Sequence, residues 1–257
     1  MNRDGTYTPQ ELMVAAAARQ IRDGELVFVG MRLPLLAFAL AKRMHAPAAV
    51  GLFECGLMRD EPAPELLHTM SDPPNIAGAL WSTRMINVMA LLQQGAVQLG
   101  ILGGAEVDKF GNVNTSYIGS REHPAVKLPG SGGAADIASL AGRLLILMQH
   151  ERHRLKERVD YVTSPGHGEG GDWRRRVGLL GGGPVAIVTT LGTFSFDSHT
   201  KEAFLASYHP GITPDEVREQ TGWRIRISPE VCETPPPTRK ELAVIRQYDA
   251  HGFWTGQ

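Results

Sequence analysis

The stretch AAVGLFECGLMRDE, Ala48 to Glu61, runs from an apolar segment into a carboxylate, a thiol and a glycine. The six residues Ala48 to Phe53 read as a buried strand, and Gly56 with the charges beyond it ends the run. What precedes it decides the fold. LPLLAFALAKRMH, Leu33 to His45, is predicted to be a helix with Lys42, Arg43 and His45 in its last turn, where cations suit the helix dipole. Before that helix, ELVFVG (Glu25 to Gly30) is a second short buried strand. Thr8-Pro9-Gln10-Glu11 opens an earlier helix with a capping box, and Leu12, Met13, Ala16, Ala17 and Ile21 continue it at helical spacing up to Gly24. Two helix–strand units in succession predict a parallel sheet with right-handed crossovers. Such sheets present ligand groups at the carboxyl ends of their strands, and Glu54 falls at one.

Downstream, Arg59 to Asn75 is rich in proline and acid and reads as an excursion over the surface. STRMINVMALLQQG (Ser82 to Gly95) reads as a helix and AVQLGILGG (Ala96 to Gly104) as a buried strand. Lys109-Phe110-Gly111-Asn112 is a turn signal between extended pieces, hence a hairpin or looped strand. GSGGAADIASLAG (Gly130 to Gly142) is a glycine turn opening a helix, followed by expected strands RLLILMQ and RVDYVTS. Pro165 to Pro184, with glycines on both sides of a charged centre, is expected to be a mobile loop. VAIVTT and GTFSFD form strands joined by a hairpin at Thr190 to Gly192, capping boxes at Thr213 and Thr238 begin two more helices, and ETPPPT links the two.

The 257 residues suit one large α/β domain spanning 1–257, an open, mostly parallel sheet with flanking helices. With 26 basic and 27 acidic residues the net charge is −1, too little for a nucleic-acid groove. Cys55 and Cys232 have no paired spacing or third partner, so neither a disulfide scaffold nor a cysteine metal site is expected, and a reducing cytoplasm fits. The start MNRDGTYTPQELM lacks a secretory apolar core, and no apolar run approaches the roughly 18–20 residues of a membrane span.

Three groups of residues carry candidate chemistry. Gly130-Ser131-Gly132-Gly133-Ala134-Ala135 formally satisfies G-x-G-x-x-A before a helix, but Pro129 precedes it and no acidic residue follows at the dinucleotide distance. A structural turn, or an anion or oxyanion pocket built from backbone N–H groups, are the other readings. Ser131 lacks the glycine spacing of a nucleophile elbow. His150 and His153 belong to no metal-ligand pattern and are expected to be solvated or helix-end residues. Glu54 and Cys55 are alternatives, not a dyad, because successive strand side chains face opposite ways. The plain reading makes Glu54 a strand-end cap and Cys55 a small buried hydrophobe.

VFVGMRLPLLAFALAKRMHAP into FECGLM, then ILGGAEVDKFGNVN, GSGGA, MQHERHR, DYVTSPG and HPGITPDEVREQTGW together resemble the B (β) subunits of glutaconate CoA-transferases, within family I of the CoA-transferases. The resemblance runs through nearly the whole chain, with unrelated motifs in the right order. It implies an open α/β fold and a nucleophilic glutamate at Glu54 that attacks an acyl-CoA thioester and then carries CoA as a glutamyl thioester. It places the amides of Gly132, Gly133 and Ala134 near the thioester as oxyanion or CoA contacts. It further implies no permanent cofactor and no metal, coenzyme A arriving as part of the substrate, and an A (α) subunit that completes the active site in a heterotetramer or larger assembly. The family pattern is Glu-Ser-Gly-Leu-Met, so Cys55 is a departure. A cysteine lies in the active site of a cofactor-free relative that decarboxylates methylglutaconyl-CoA in the myxobacterial isovaleryl-CoA route, and Cys55 keeps that reaction open.

Overall fold

The computed structural model describes residues 6–256. The chain begins α1 (Pro9–Ala18), β1 (Leu26–Val29), α2 (Leu33–Met44), β2 (Val50–Phe53), β3 (Leu57–Arg59), α3 (Pro73–Ile76), β4 (Trp81–Ser82), α4 (Met85–Gln93) and β5 (Leu99–Gly103). A peripheral group follows: β6 (Glu106–Asp108), β7 (Val113–Asn114), β8 (Tyr117–Gly119) and β9 (Pro124–Lys127). The rest is α5 (Ala134–Leu140), β10 (Arg143–Met148), β11 (Leu155–Lys156), α6 (Trp173–Arg176), β12 (Pro184–Thr189), β13 (Gly192–Phe196), β14 (Ala203–Tyr208), α7 (Pro214–Glu219), β15 (Arg226–Glu233) and α8 (Arg239–Tyr248).

Ten strands form one sheet in the order β15-β14-β13-β12-β10-β5-β1-β2-β3-β4. Its centre is parallel, from β12 through β10, β5 and β1 to β2, as the helix–strand alternation predicts. Outside it the pairings β2–β3, β3–β4, β12–β13 and β13–β14 are antiparallel; β2 and β3 meet through a tight turn, whereas residues 60–80 separate β3 from β4. Strand alternation sends Val27 and Val29 into a core with α1, α2 and α8, and Phe28 and Leu52 into a second core with α4 and α5. Each fully buried side chain of the size of Phe28 contributes roughly 1.5–3 kcal/mol. The capping boxes at Thr8, Thr213 and Thr238 are all formed, with threonine accepting from the third residue's N–H and glutamate answering at the cap N–H.

Several expectations need correction. RVDYVTS (158–164) is not a strand: only Ser164 bridges, to Val113, and the Asp160 N–H is claimed by the Glu106 carboxylate at 3.1 Å. Residues 165–184 are not a free loop. The buried Arg174 gives hydrogen bonds to the carbonyls of Pro165, Gly166, Gly181, Ala138 and Ser139, so its guanidinium stitches both glycine-rich arms to the end of α5. Burial lowers its pKa to about 10. Ser82 belongs to β4, and α4 starts only at Met85. The strand β14 and the edge strand β15 are additional to the expected set.

His150 is neither solvated nor at a helix end. It is 6% exposed, with Nδ1 3.0 Å from the Thr189 hydroxyl and Nε2 3.2 Å from the Thr221 hydroxyl. His209 lies in the same buried network, between the Thr234 hydroxyl at 3.0 Å and the Thr189 carbonyl at 2.7 Å. His153 is exposed beside Glu151, as expected.

Candidate active site

Phe53-Glu54-Cys55-Gly56 is the tight turn between β2 and β3, closed by the Gly56 N–H donating to the Phe53 carbonyl at 3.0 Å. Gly56 has φ +101°, and a Cβ there would stand 2.2 Å from the Thr83 carbonyl oxygen, so glycine is required on both counts. Its own carbonyl accepts from the Thr83 N–H at 2.8 Å, which ties the turn to the segment leading into α4. The turn therefore lies at the carboxyl end of β2, where a parallel sheet displays reacting groups.

Glu54 is half-buried and leans over the start of α5. The Gly133 N–H donates to its Oε1 at 2.9 Å. A Cβ on Gly132 would be 3.3 Å from Oε1, and one on Gly133 would be 3.1 Å from Cδ and 3.2 Å from the Met89 methyl. Gly132 also has φ +48°. The two glycines thus let a carboxylate lie against backbone, oriented by a charge-assisted hydrogen bond. The Ala134 N–H is engaged by the Ser131 carbonyl at 2.9 Å. Of the three amides singled out in the sequence, Gly133 donates to Glu54 itself, Gly132 only lies alongside the carboxylate, and Ala134 serves the turn. Ser131 is exposed at the surface of that turn.

Cys55 points the other way. Its thiol donates to the Met70 carbonyl at 3.1 Å and packs with the α1–α2–α8 core, whereas Met89 and Ala134 pack with the opposite core. Burial raises the thiol pKa, outweighing a hydrogen bond with Ser71. Glu54 and Cys55 are adjacent in sequence and point to opposite sides of the turn, Glu54 to the Gly133 N–H and Cys55 to the Met70 carbonyl. No group of three His, Cys, Asp or Glu side chains among the described residues is arranged to hold a metal ion.

Beside Glu54, the segment from α3 through β4 to α4 exposes Ile76, Leu80, Trp81, Met85 and Ile86, the last at 68%. So many large apolar groups in eleven residues exceed the scattered exposure usual on a monomer. Local sequence reading passed over them because Met85 and Ile86 look like ordinary helix-face residues. Among the described residues no helix is long and apolar enough to cross a membrane.

The coenzyme A transferase family profile matches residues 10–220. The chain is 38% identical over 254 residues to the B chain of the 3-oxoadipate CoA-transferase of Pseudomonas knackmussii, covering 95% of this chain and 94% of that one. It is 38% identical over 238 residues to the B chain of the glutaconate CoA-transferase of Acidaminococcus fermentans, covering 90% and 89%. The crystal structure of that organism's glutaconate coenzyme A-transferase superposes with a TM-score of 0.91 over 97% of both chains. The crystal structure of the decarboxylase AibA/AibB superposes with a TM-score of 0.83 at 29% identity, over 98% of this chain and all of that one. The α/β fold, the order of motifs and these likenesses agree: the chain belongs to the coenzyme A transferase family, as an enzyme subunit of the B type.

Proposed function

We propose that this chain is the B subunit of a heteromeric enzyme that moves CoA between an acyl-CoA and a dicarboxylic acid of the glutaconate or 3-oxoadipate kind, with Glu54 as nucleophile. The observation that carries the reading is the carboxylate at the end of β2, held by the Gly133 N–H and bordered by two glycines that let it lie against the backbone. The relatives named for glutaconate and for 3-oxoadipate are equally similar, so the acyl class is that of short dicarboxylic acids.

The chemistry closes in three exchanges. A Glu54 oxygen attacks the thioester carbonyl, and the tetrahedral oxyanion collapses with expulsion of CoA thiolate, leaving an acyl–glutamyl anhydride. The thiolate attacks the glutamyl carbonyl of that anhydride, releasing the first acid as its carboxylate and leaving glutamyl-CoA. The acceptor carboxylate repeats the sequence in reverse, leaving as the new acyl-CoA and restoring Glu54. No water enters, so the site must exclude it, and donors must meet the oxyanion as it forms. Once Glu54 is acylated, its hold on the Gly133 N–H weakens, and that N–H is then placed to meet a developing oxyanion. CoA enters as substrate, and its large handle supplies the binding energy that positions the thioester.

The exposed apolar segment Ile76 to Ile86 borders the same turn and suits burial against an A subunit, which the B-type relatives have by name. Decarboxylation of a glutaconyl-type CoA ester is the second reading, favoured by Cys55 beside Glu54 and by likeness to AibA/AibB. The thiol's donation to Met70, away from Glu54, speaks for transfer. The test is to supply the A/B complex with a glutaconyl-type CoA ester and free acetate. Acetyl-CoA formation supports transfer, and carbon dioxide release without exchange supports decarboxylation.

A further inference from the structure

The C-terminal residues after α8 reach back across the molecule to the turns around Glu54. The Trp254 Nε1–H donates to the Leu67 carbonyl at 3.0 Å, and the Arg32 guanidinium lies 5.0 Å above the same ring. Phe253 sets its ring edge-on to Trp254 and to His68, with centroids 4.6 Å apart in each case. This pair stands on a firm base. Asp249 is buried to 2% exposure and its carboxylate accepts the N–H groups of Phe253 at 2.6 Å and of Trp254 and Thr255 at 2.9 Å. The Thr255 carbonyl in turn accepts from the Thr8 hydroxyl at 2.7 Å.

What the pair grips is the two segments that flank the Glu54–Cys55 turn. On one side the chain leaves β1 through Gly30, Met31 and Arg32. The β1–β2 register pairs Phe28 with Leu52, so Gly30 leaves the sheet level with Glu54. Arg32 is held at φ 71°, ψ −121°, a conformation that L side chains rarely adopt, and among the described residues no carboxylate pairs with its guanidinium. The Trp254 face is the contact that fixes that side chain. On the other side the excursion through Leu67 and Met70 passes beneath Cys55. There the Met70 carbonyl takes the Cys55 thiol at 3.1 Å and the Asn75 amide at 2.6 Å.

We propose that Trp254 is a positioning residue, the centre of a C-terminal latch that fixes both segments beside the Glu54–Cys55 turn and shields the Cys55 thiol. A ring that only filled space would add stability without controlling the turn. The kinetic part of the test rests on the transferase reading, whereas the labelling part does not.

The experiment uses the A/B complex and its Trp254→Ala, Trp254→Phe and Arg32→Ala forms. Iodoacetamide labels Cys55 and Cys232, and peptide mass spectrometry gives the rate at each. Cys232 is exposed and serves as the internal reference. In Trp254→Ala, labelling of Cys55 relative to Cys232 should rise roughly tenfold as the excursion opens locally. Trp254→Phe, which keeps a ring but loses the donor to Leu67, and Arg32→Ala, which leaves the core untouched, should rise by less. Turnover should fall in the same order with the KM for CoA ester unchanged. A Cys55-to-Cys232 ratio equal to wild type in Trp254→Ala overturns the latch. If Trp254→Ala does not fold, wild-type ratios in both of the other forms overturn it. A wild-type complex that moves no CoA refutes the transferase reading and leaves the labelling result standing.

Discussion

Lowering the pH from 8 to 5 should destabilise this protein through three buried histidines. His150, His167 and His209 are each pushed from the ordinary 6.5 down to about 4, chiefly by burial. His150 also feels His209, and His167 feels Lys201 and Arg174. A histidine held neutral in the fold binds its proton more readily when unfolded. Its contribution is therefore complete above about 6.5 and is lost as the pH falls from there toward about 4. At pH 5 each has lost about 2 kcal/mol, or about 6 kcal/mol for the three. Asp108 opposes this. Burial raises its pKa from 3.8 to about 6 against the hydrogen bonds from Asn112 and Phe110, so protonation on acidification relieves a strain worth about 1 kcal/mol at pH 5. The net loss, about 5 kcal/mol, is comparable to the whole stability of many domains at about 5–15 kcal/mol. Urea titrations at pH 8 and pH 5 measure it, and His209→Gln isolates one group, shrinking the loss by about 2 kcal/mol. Equal stability at the two pH values, or the same loss in His209→Gln as in wild type, would show that the buried histidines do not set the acid sensitivity.

Gly133→Ala puts a Cβ 3.1 Å from the Glu54 Cδ and 3.2 Å from the Met89 methyl, so turnover should drop at least roughly tenfold with a stability cost of about 1–3 kcal/mol, checked by steady-state kinetics and urea titration. Arg174→Met takes the guanidinium from five backbone carbonyls, of which Ser139 alone keeps a donor in the Gly181 N–H, and should cost about 3–5 kcal/mol, seen as a lowered Tm and faster proteolysis within 165–184. Cys55→Ser keeps a small donor on the side of the turn away from Glu54, and kcat/KM for CoA transfer should stay within about threefold of wild type.

The parts of this fold that were legible in the sequence are those fixed by a few neighbouring residues. The three capping boxes are each written in four residues, and all three form. The parallel centre followed from apolar runs alternating with helical periodicity. RVDYVTS has the β-branched content of a strand, yet its amides go to the Glu106 side chain and the Val113 carbonyl, which no local pattern announces. The edge strand β15 was illegible for the opposite reason. It contains Pro229 and is exposed along most of its length, features that protect an edge and also erase the alternation that identifies a strand. His150 looked like one of a charged-face pair until Thr189 and Thr221 closed around it from distant parts of the chain. In the site, Glu54 could be located from the end of an apolar run. Its contact with Gly133 spans 79 residues and followed only from the family resemblance and the fold.

We propose that Glu54 becomes covalently attached to CoA during turnover. Incubation of the A/B complex with acyl-CoA alone, followed by borohydride and peptide mass spectrometry, tests this directly, because borohydride reduces a glutamyl thioester to the alcohol. Reduction confined to Glu54, dependent on acyl-CoA and abolished in Glu54→Gln, is the predicted result. An unmodified Glu54 under conditions in which the complex turns over would contradict the account.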